Sequence, residues 1–175
     1  MATNLEFIDS FEVTSSTSSF SVDNIFSDKY DVYCLSLTNF ETVGTTQTAL
    51  YIRFIDSTGT VVTSLTYNYA LHRLDVLRTY AETKVTNTNF FNLYQIDQRP
   101  TGASDILYIY NPNDSSSYTF SQWQGISVWQ AGALEVVGTK GIGVEKTAQS
   151  IRGIQLVEPN VRPFDKGRVS VYGVK

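Results

Sequence analysis

Apolar and polar residues alternate along almost the whole chain. The clearest stretch is Tyr30-Asp31-Val32-Tyr33-Cys34-Leu35-Ser36-Leu37. Successive side chains of a strand point to opposite faces, so Tyr33, Leu35 and Leu37 share one side and Val32, Cys34 and Ser36 the other. In Ala49-Leu50-Tyr51-Ile52-Arg53-Phe54-Ile55 the same period puts Leu50, Ile52 and Phe54 together, with Arg53 opposite. The turn cluster Asp56-Ser57-Thr58-Gly59 follows, and Thr60-Val61-Val62 is the expected hairpin partner.

Further strands are predicted over 90–96, 105–110, 118–123, 126–129, 151–157 and 168–172, with another beginning at Phe20. Asn111-Pro112-Asn113-Asp114 closes the dense run Asp105-Ile106-Leu107-Tyr108-Ile109-Tyr110, because Pro fixes φ and Asn and Asp tolerate turn geometry. Gly125 is expected to separate the two strands around it. Tyr69–Arg78 is the one stretch with another spacing: Leu71, Leu74 and Leu77 recur every third residue. It reads either as helix or as an irregular crossover.

Eight or more short antiparallel strands with turns between them and little helix predict an all-β fold, a sandwich or barrel. At 175 residues one domain spanning 1–175 is expected. Residues 1–19 are expected to form an N-terminal strand or arm and a Ser/Thr-rich turn at Thr14–Ser19. Composition agrees: Thr, Tyr, Phe and Val suit a pleated surface, and charged residues make up 17% of the chain against the usual roughly 25%.

Charge narrows the partners. The formal net charge is −4 and no basic run occurs, so the cationic footprint that nucleic acid requires is missing and no nucleic-acid partner is expected. No apolar run approaches the ~20 residues that span a bilayer as a helix, and the start has no basic or apolar leader pattern. Neither a membrane partner nor secretion is expected, and the chain is expected to fold in the cytoplasm where it is made.

Candidate chemistry is sparse. His72 is the single histidine, and triads or multi-histidine metal sites need partners it lacks nearby in sequence. Cys34, the single cysteine, allows no internal disulfide and reads as a small buried hydrophobe. Two acidic groups, Asp23/Asp28/Asp31 and Glu6/Asp9/Glu12, have the residue type of a glycosidase pair, though solvated loop and edge positions are the simpler account of both. Gly138-Thr139-Lys140-Gly141-Ile142-Gly143 lacks the Gly-Lys-Ser/Thr ending of a phosphate loop and reads as a glycine-rich hairpin or loop. Trp123 and Trp129 with Tyr108, Tyr110 and Tyr118 form either core and subunit interface or a sugar-stacking platform. No catalytic residue, metal ligand or cofactor is expected, and the chain is not expected to be an enzyme.

The order of these features resembles a family. Phe20-Ser21-Val22-Asp23-Asn24-Ile25-Phe26 leads into Tyr30-Asp31-Val32-Tyr33. Leu50-Tyr51-Ile52-Arg53-Phe54 and Asp56–Gly59 follow, and Gly167-Arg168-Val169-Ser170-Val171-Tyr172-Gly173 closes the chain. This resembles the β-sandwich domain of tailed-bacteriophage virion proteins, found in capsid decoration (cement) proteins and at the ends of tail fibres. The likeness runs from about Phe7 to Lys175. It implies a jelly-roll-like fold, a homo-oligomer with three-fold or other closed symmetry and a place on the virion surface beside a major capsid or tail protein. It implies no catalytic residues. The domain starts almost at Met1, where a fibre would carry a shaft, which favours a decoration protein over a fibre tip that binds a host receptor or glycan.

Overall fold

The structure is a computed structural model that describes residues 4–13, 16–44, 48–76, 80–98, 102–130 and 134–175, with the side chains of 94–98, 129, 130 and 134 left aside. Twelve strands account for its regular structure: β1 Leu5–Glu12, β2 Ser19–Val22, β3 Val32–Thr42, β4 Thr48–Asp56, β5 Tyr67–Asp75, β6 Ala81–Thr88, β7 Phe91–Gln98, β8 Ala103–Tyr110, β9 Thr119–Gln130, β10 Leu134–Glu145, β11 Ile151–Val157 and β12 Phe164–Val174.

The pairing is nested. β1 pairs with β12, β2 with β11, β3 with β8 and β4 with β7, all antiparallel. Further pairings of β12 with β3 and of β11 with β4 complete two four-stranded layers, β1-β12-β3-β8 and β2-β11-β4-β7. A long ribbon doubled back and rolled in this way is a jelly roll. Two additions enlarge it. β5 and β6 lie in sequence between β4 and β7, and β9 and β10 lie between β8 and β11. They extend the first layer into one sheet of eight, β1-β12-β3-β8-β9-β10-β5-β6. The layers also touch at a short parallel pairing of Glu41 and Thr42 with Asp97 and Gln98, the one departure from the antiparallel pattern expected.

The core lies between the sheets and is made by the predicted alternation. Tyr33, Leu35 and Leu37 of β3 face Leu50, Ile52 and Phe54 of β4, and all six are buried. An aromatic chain ties the inserted strands to the four-stranded sheet. Phe54 packs on Tyr67 (6.0 Å between ring centroids), Tyr67 on Phe91 (4.9 Å) and Phe91 on Trp123 (5.9 Å). Each such ring, fully buried, contributes roughly 1.5–3 kcal/mol. The Tyr67 hydroxyl accepts a hydrogen bond from the Phe54 amide (2.9 Å) and donates to the Val62 carbonyl (3.2 Å).

Several sequence expectations change. The 69–78 stretch is neither helix nor crossover up to Asp75: it is β5, with Tyr67, Tyr69 and Leu71 inward and Leu74 exposed. Leu71 and Leu74 therefore point to opposite faces, and Leu77 and Arg78 lie outside the described residues. Gly125 does not divide 118–129, because β9 runs through it unbroken. The 138–143 stretch is the interior of β10 rather than a loop. Its inward glycines make room for rings: a β-carbon on Gly141 would lie 2.2 Å from Trp123, and one on Gly143 would lie 2.5 Å from Phe91. The hairpin partner expected at 60–62 reduces to one bridge, Ile55 with Val61, on the edge of β4 that β7 leaves open beyond Ile52. β6, with its polar sequence, was not expected as a strand. The Ser/Thr-rich turn falls partly outside the description, at Thr14 and Ser15.

Candidate subunit interface

The outward faces of the two sheets differ in chemistry. On the four-stranded sheet the outward positions are Ser21, Gln155, Arg53 and Asn92, with Tyr51 stacked on Phe90 at 3.7 Å. That is the polar face expected of an antiparallel sheet with one side in water.

The outer side of the eight-stranded sheet instead sets large apolar side chains among its polar ones. Cross-strand register places one row over all eight strands: Phe7, Tyr172, Cys34, Tyr108, Gln122, Ile142, Ala70 and Lys84. One neighbouring row contains Leu5, Val174, Val32, Tyr110, Phe120 and Val144. On the other side run Ser10, Ser170, Ser36, Ile106, Gln124, Lys140, His72 and Glu82, followed by Ser104, Ile126, Gly138 and Leu74. The apolar members stand well clear of the sheet: Phe7 is 57% exposed, Ile106 50%, Phe120 46%, Ile126 57% and Ile142 62%. Five large apolar side chains this exposed on one sheet face mark it as a candidate contact surface.

The middle of the face is hollow. A trough of ≈ 730 Å³ runs over β8 and β9, bordered by Ser36, Ile106, Tyr108, Gln124, Lys140 and Ile142. Directly beneath it, on the core side, Asp105 is buried against Gly125 and beside Thr139. Burial pushes the Asp105 carboxyl up to about 7.

The residues singled out from sequence fall into different places. Cys34 is buried in the middle of the apolar row, and burial pushes its thiol up, away from the thiolate a nucleophile needs. His72 lies on the outer face of β5 with its ring 5.6 Å from that of Tyr80. The aromatic set splits. Trp123 is core, Tyr108 and Tyr110 belong to the outer face, and Tyr118 lies exposed just before β9. The Trp129 side chain lies outside the description.

Of the acidic groups, Asp23, Glu6, Glu12 and Asp9 are held in ion pairs or local hydrogen bonds, while Asp28 and Asp31 are exposed. Asp23 accepts twin hydrogen bonds from Arg152, both 2.8 Å. Glu6 meets Lys29 at 2.5 Å and Lys175 at 2.7 Å, and Lys175 and Lys29 together hold its carboxyl down to about 2. Glu12 pairs with Arg168, and Asp9 accepts from the Ser10 amide at 2.7 Å. Among the described residues no three His, Cys, Asp or Glu side chains converge as a metal site.

The strand order and the two faces define a jelly-roll sandwich with one enlarged, apolar-faced sheet. Neither a protein family nor a curated protein matches the chain. Solved structures with some likeness include that of infectious bursal disease virus Gx strain (12% identity, 97% of this chain and 40% of that chain, TM-score 0.17). Another is the infectious bursal disease virus VP2 subviral particle (11% identity, 98% of this chain and 41% of that chain, TM-score 0.17). This chain thus spans about two fifths of either one. Both come from a virus, but a likeness at this TM-score carries no weight for the fold or the role, and the fold assignment rests on the strand order.

The exposed apolar side chains of the outer face are not visible as a unit in the sequence. Its signal was present in runs such as Ile106-Leu107-Tyr108-Ile109-Tyr110, apolar at odd and even positions alike. Such a run marks a strand covered on both sides.

Proposed function

We propose that this chain is a structural protein of a bacteriophage particle. It is displayed on the virion surface as a capsid decoration protein and held there by contacts with its own copies and a neighbouring capsid or tail protein. The apolar outer face of the eight-stranded sheet carries this reading. A protein that works alone in water gains nothing from such a face, whereas a permanent assembly buries it. The jelly-roll order and the resemblance of the sequence to phage virion domains point the same way. No catalytic role is part of the proposal: Asp23, Glu6 and Glu12 are engaged in ion pairs and Asp9 in a local hydrogen bond. The test is localisation in gradient-purified particles by mass spectrometry and cryo-electron microscopy. Stoichiometric density on the shell is expected, and absence of the chain from intact particles would sink the proposal.

The trough supports a second reading, a tail-tip module that binds a host glycan. Its amide, hydroxyl and ammonium groups sit between apolar edges, the mixture that fits a neutral sugar chain. A glycan array separates the two: binding that is lost in Gln124→Ala favours the module, and an array without hits removes it.

A further inference from the structure

We infer that the outer face of the eight-stranded sheet is a two-fold interface that closes on the same face of a second copy. The inference rests on the assembly reading above and names the partner of that face.

Size is the first support. Eight strands at about 4.8 Å and four side-chain rows at about 6.6 Å give a footprint of roughly 1,000 Å², on the scale of the ~800 Å² per partner of a stable interface. Charge is the second. The charged side chains in these rows are Glu12 and Arg168, which pair with each other, together with Glu82, Lys84 and Lys140. The face is therefore nearly neutral on a chain of net charge −4, so two copies that meet here face little net repulsion.

Relief is the third. The midline of the sheet falls between β8 and β9. A two-fold axis along that line sets β8 of one copy over β9 of the other, and β3 over β10. Exposed Ile142 then meets Cys34, which lies flush in the sheet, while Tyr108 meets Gln122 and Ile106 meets Gln124. Further out, Tyr172 meets the small Ala70, and no charge in the rows meets its like. Aligned sheets cross at about −30°, so this register holds best near the axis, where the troughs of the two copies face each other. A single patch that meets itself closes with two copies, whereas the three-fold ring implied by the sequence resemblance needs two different surfaces.

The test is light scattering on the purified full chain, with Ile142→Glu and Ile106→Glu as interface variants and Gln155→Glu on the opposite sheet as control. All three positions face solvent in the single chain, so circular dichroism should be unchanged. The expected result is a two-chain mass for the wild type and the control, with a dissociation constant raised about 30-fold or more in both interface variants. A monomeric or trimeric wild type at micromolar concentration overturns the inference, and so does a dimer that both interface variants leave intact. The outcomes separate from those of the assembly reading. A monomer that binds particles removes only the two-fold interface, and a dimer absent from particles removes only the virion role.

Discussion

Gly141 and Trp123 share one position in the core: a β-carbon on the glycine would lie 2.2 Å from the indole ring. They face each other across neighbouring strands, in register. The indole lies flat enough to pack near Phe91 and Tyr69 only because β10 has no side chain at that point. The aromatic chain that joins the inserted strands to the four-stranded sheet depends on this gap.

Gly141→Ala is therefore expected to destabilise the fold by about 1–3 kcal/mol, the usual cost of overpacking a closed core. Urea unfolding followed by tryptophan fluorescence measures it directly. Unchanged stability would mean that the ring can move aside freely. Gly138→Ala, whose β-carbon meets nothing nearer than 3.7 Å, is the comparison.

Asp105 gives the fold a pH dependence in a defined window. Its carboxyl has an ordinary value of 3.8 and is pushed up to about 7 by burial. Between those values the folded state holds a proton that the unfolded chain releases. The Asp105 contribution to stability is thus full below pH 3.8, declines as pH rises and levels off above about 7. The total loss is on the order of 4 kcal/mol. Asp105→Asn keeps the shape without the ionisation and is expected to flatten stability over this window. Urea midpoints at about pH 5 and about pH 8 decide it, and equal slopes in both proteins would refute the assignment.

Tyr67→Phe removes one oxygen that serves two backbone groups. The Phe54 amide loses its acceptor and the Val62 carbonyl loses a donor, both in the interior. A cost of about 1–3 kcal/mol is expected for the stranded amide. Faster hydrogen exchange at Phe54, with slow exchange retained elsewhere in β4, would show that the loss is local. No change in exchange there would count against the hydroxyl's role.

Much of the fold was legible in single strands. Tyr33, Leu35 and Leu37, and Leu50, Ile52 and Phe54, face the core as their two-residue period required. β11 matches its predicted span, 151–157. Three local signals misled. Leu71 and Leu74 mimicked a helical spacing in a strand, Gly125 looked like a break, and the glycines of β10 looked like a loop. In each case a neighbour out of sight in sequence decided the outcome. β10 and β6 flank β5, Asp105 and Thr139 flank Gly125, and Trp123 and Phe91 fill the space beside Gly141 and Gly143.

The sequence by itself determined that the chain is all-β, which side of most strands faces inward, and that neither a triad nor a metal motif is written in it. Those properties depend on composition and on a period of two, and both are local. Only the tertiary structure decided that the ribbon rolls into a jelly roll, that two inserted strand pairs join one sheet rather than the other, and that Ile106, Ile126 and Ile142 come to lie on one outer face. Pairing between β1 and β12, or β5 and β10, joins residues far apart in the chain, and no local pattern specifies which strands meet. The apolar face exists because those pairings line up side chains that are scattered in sequence.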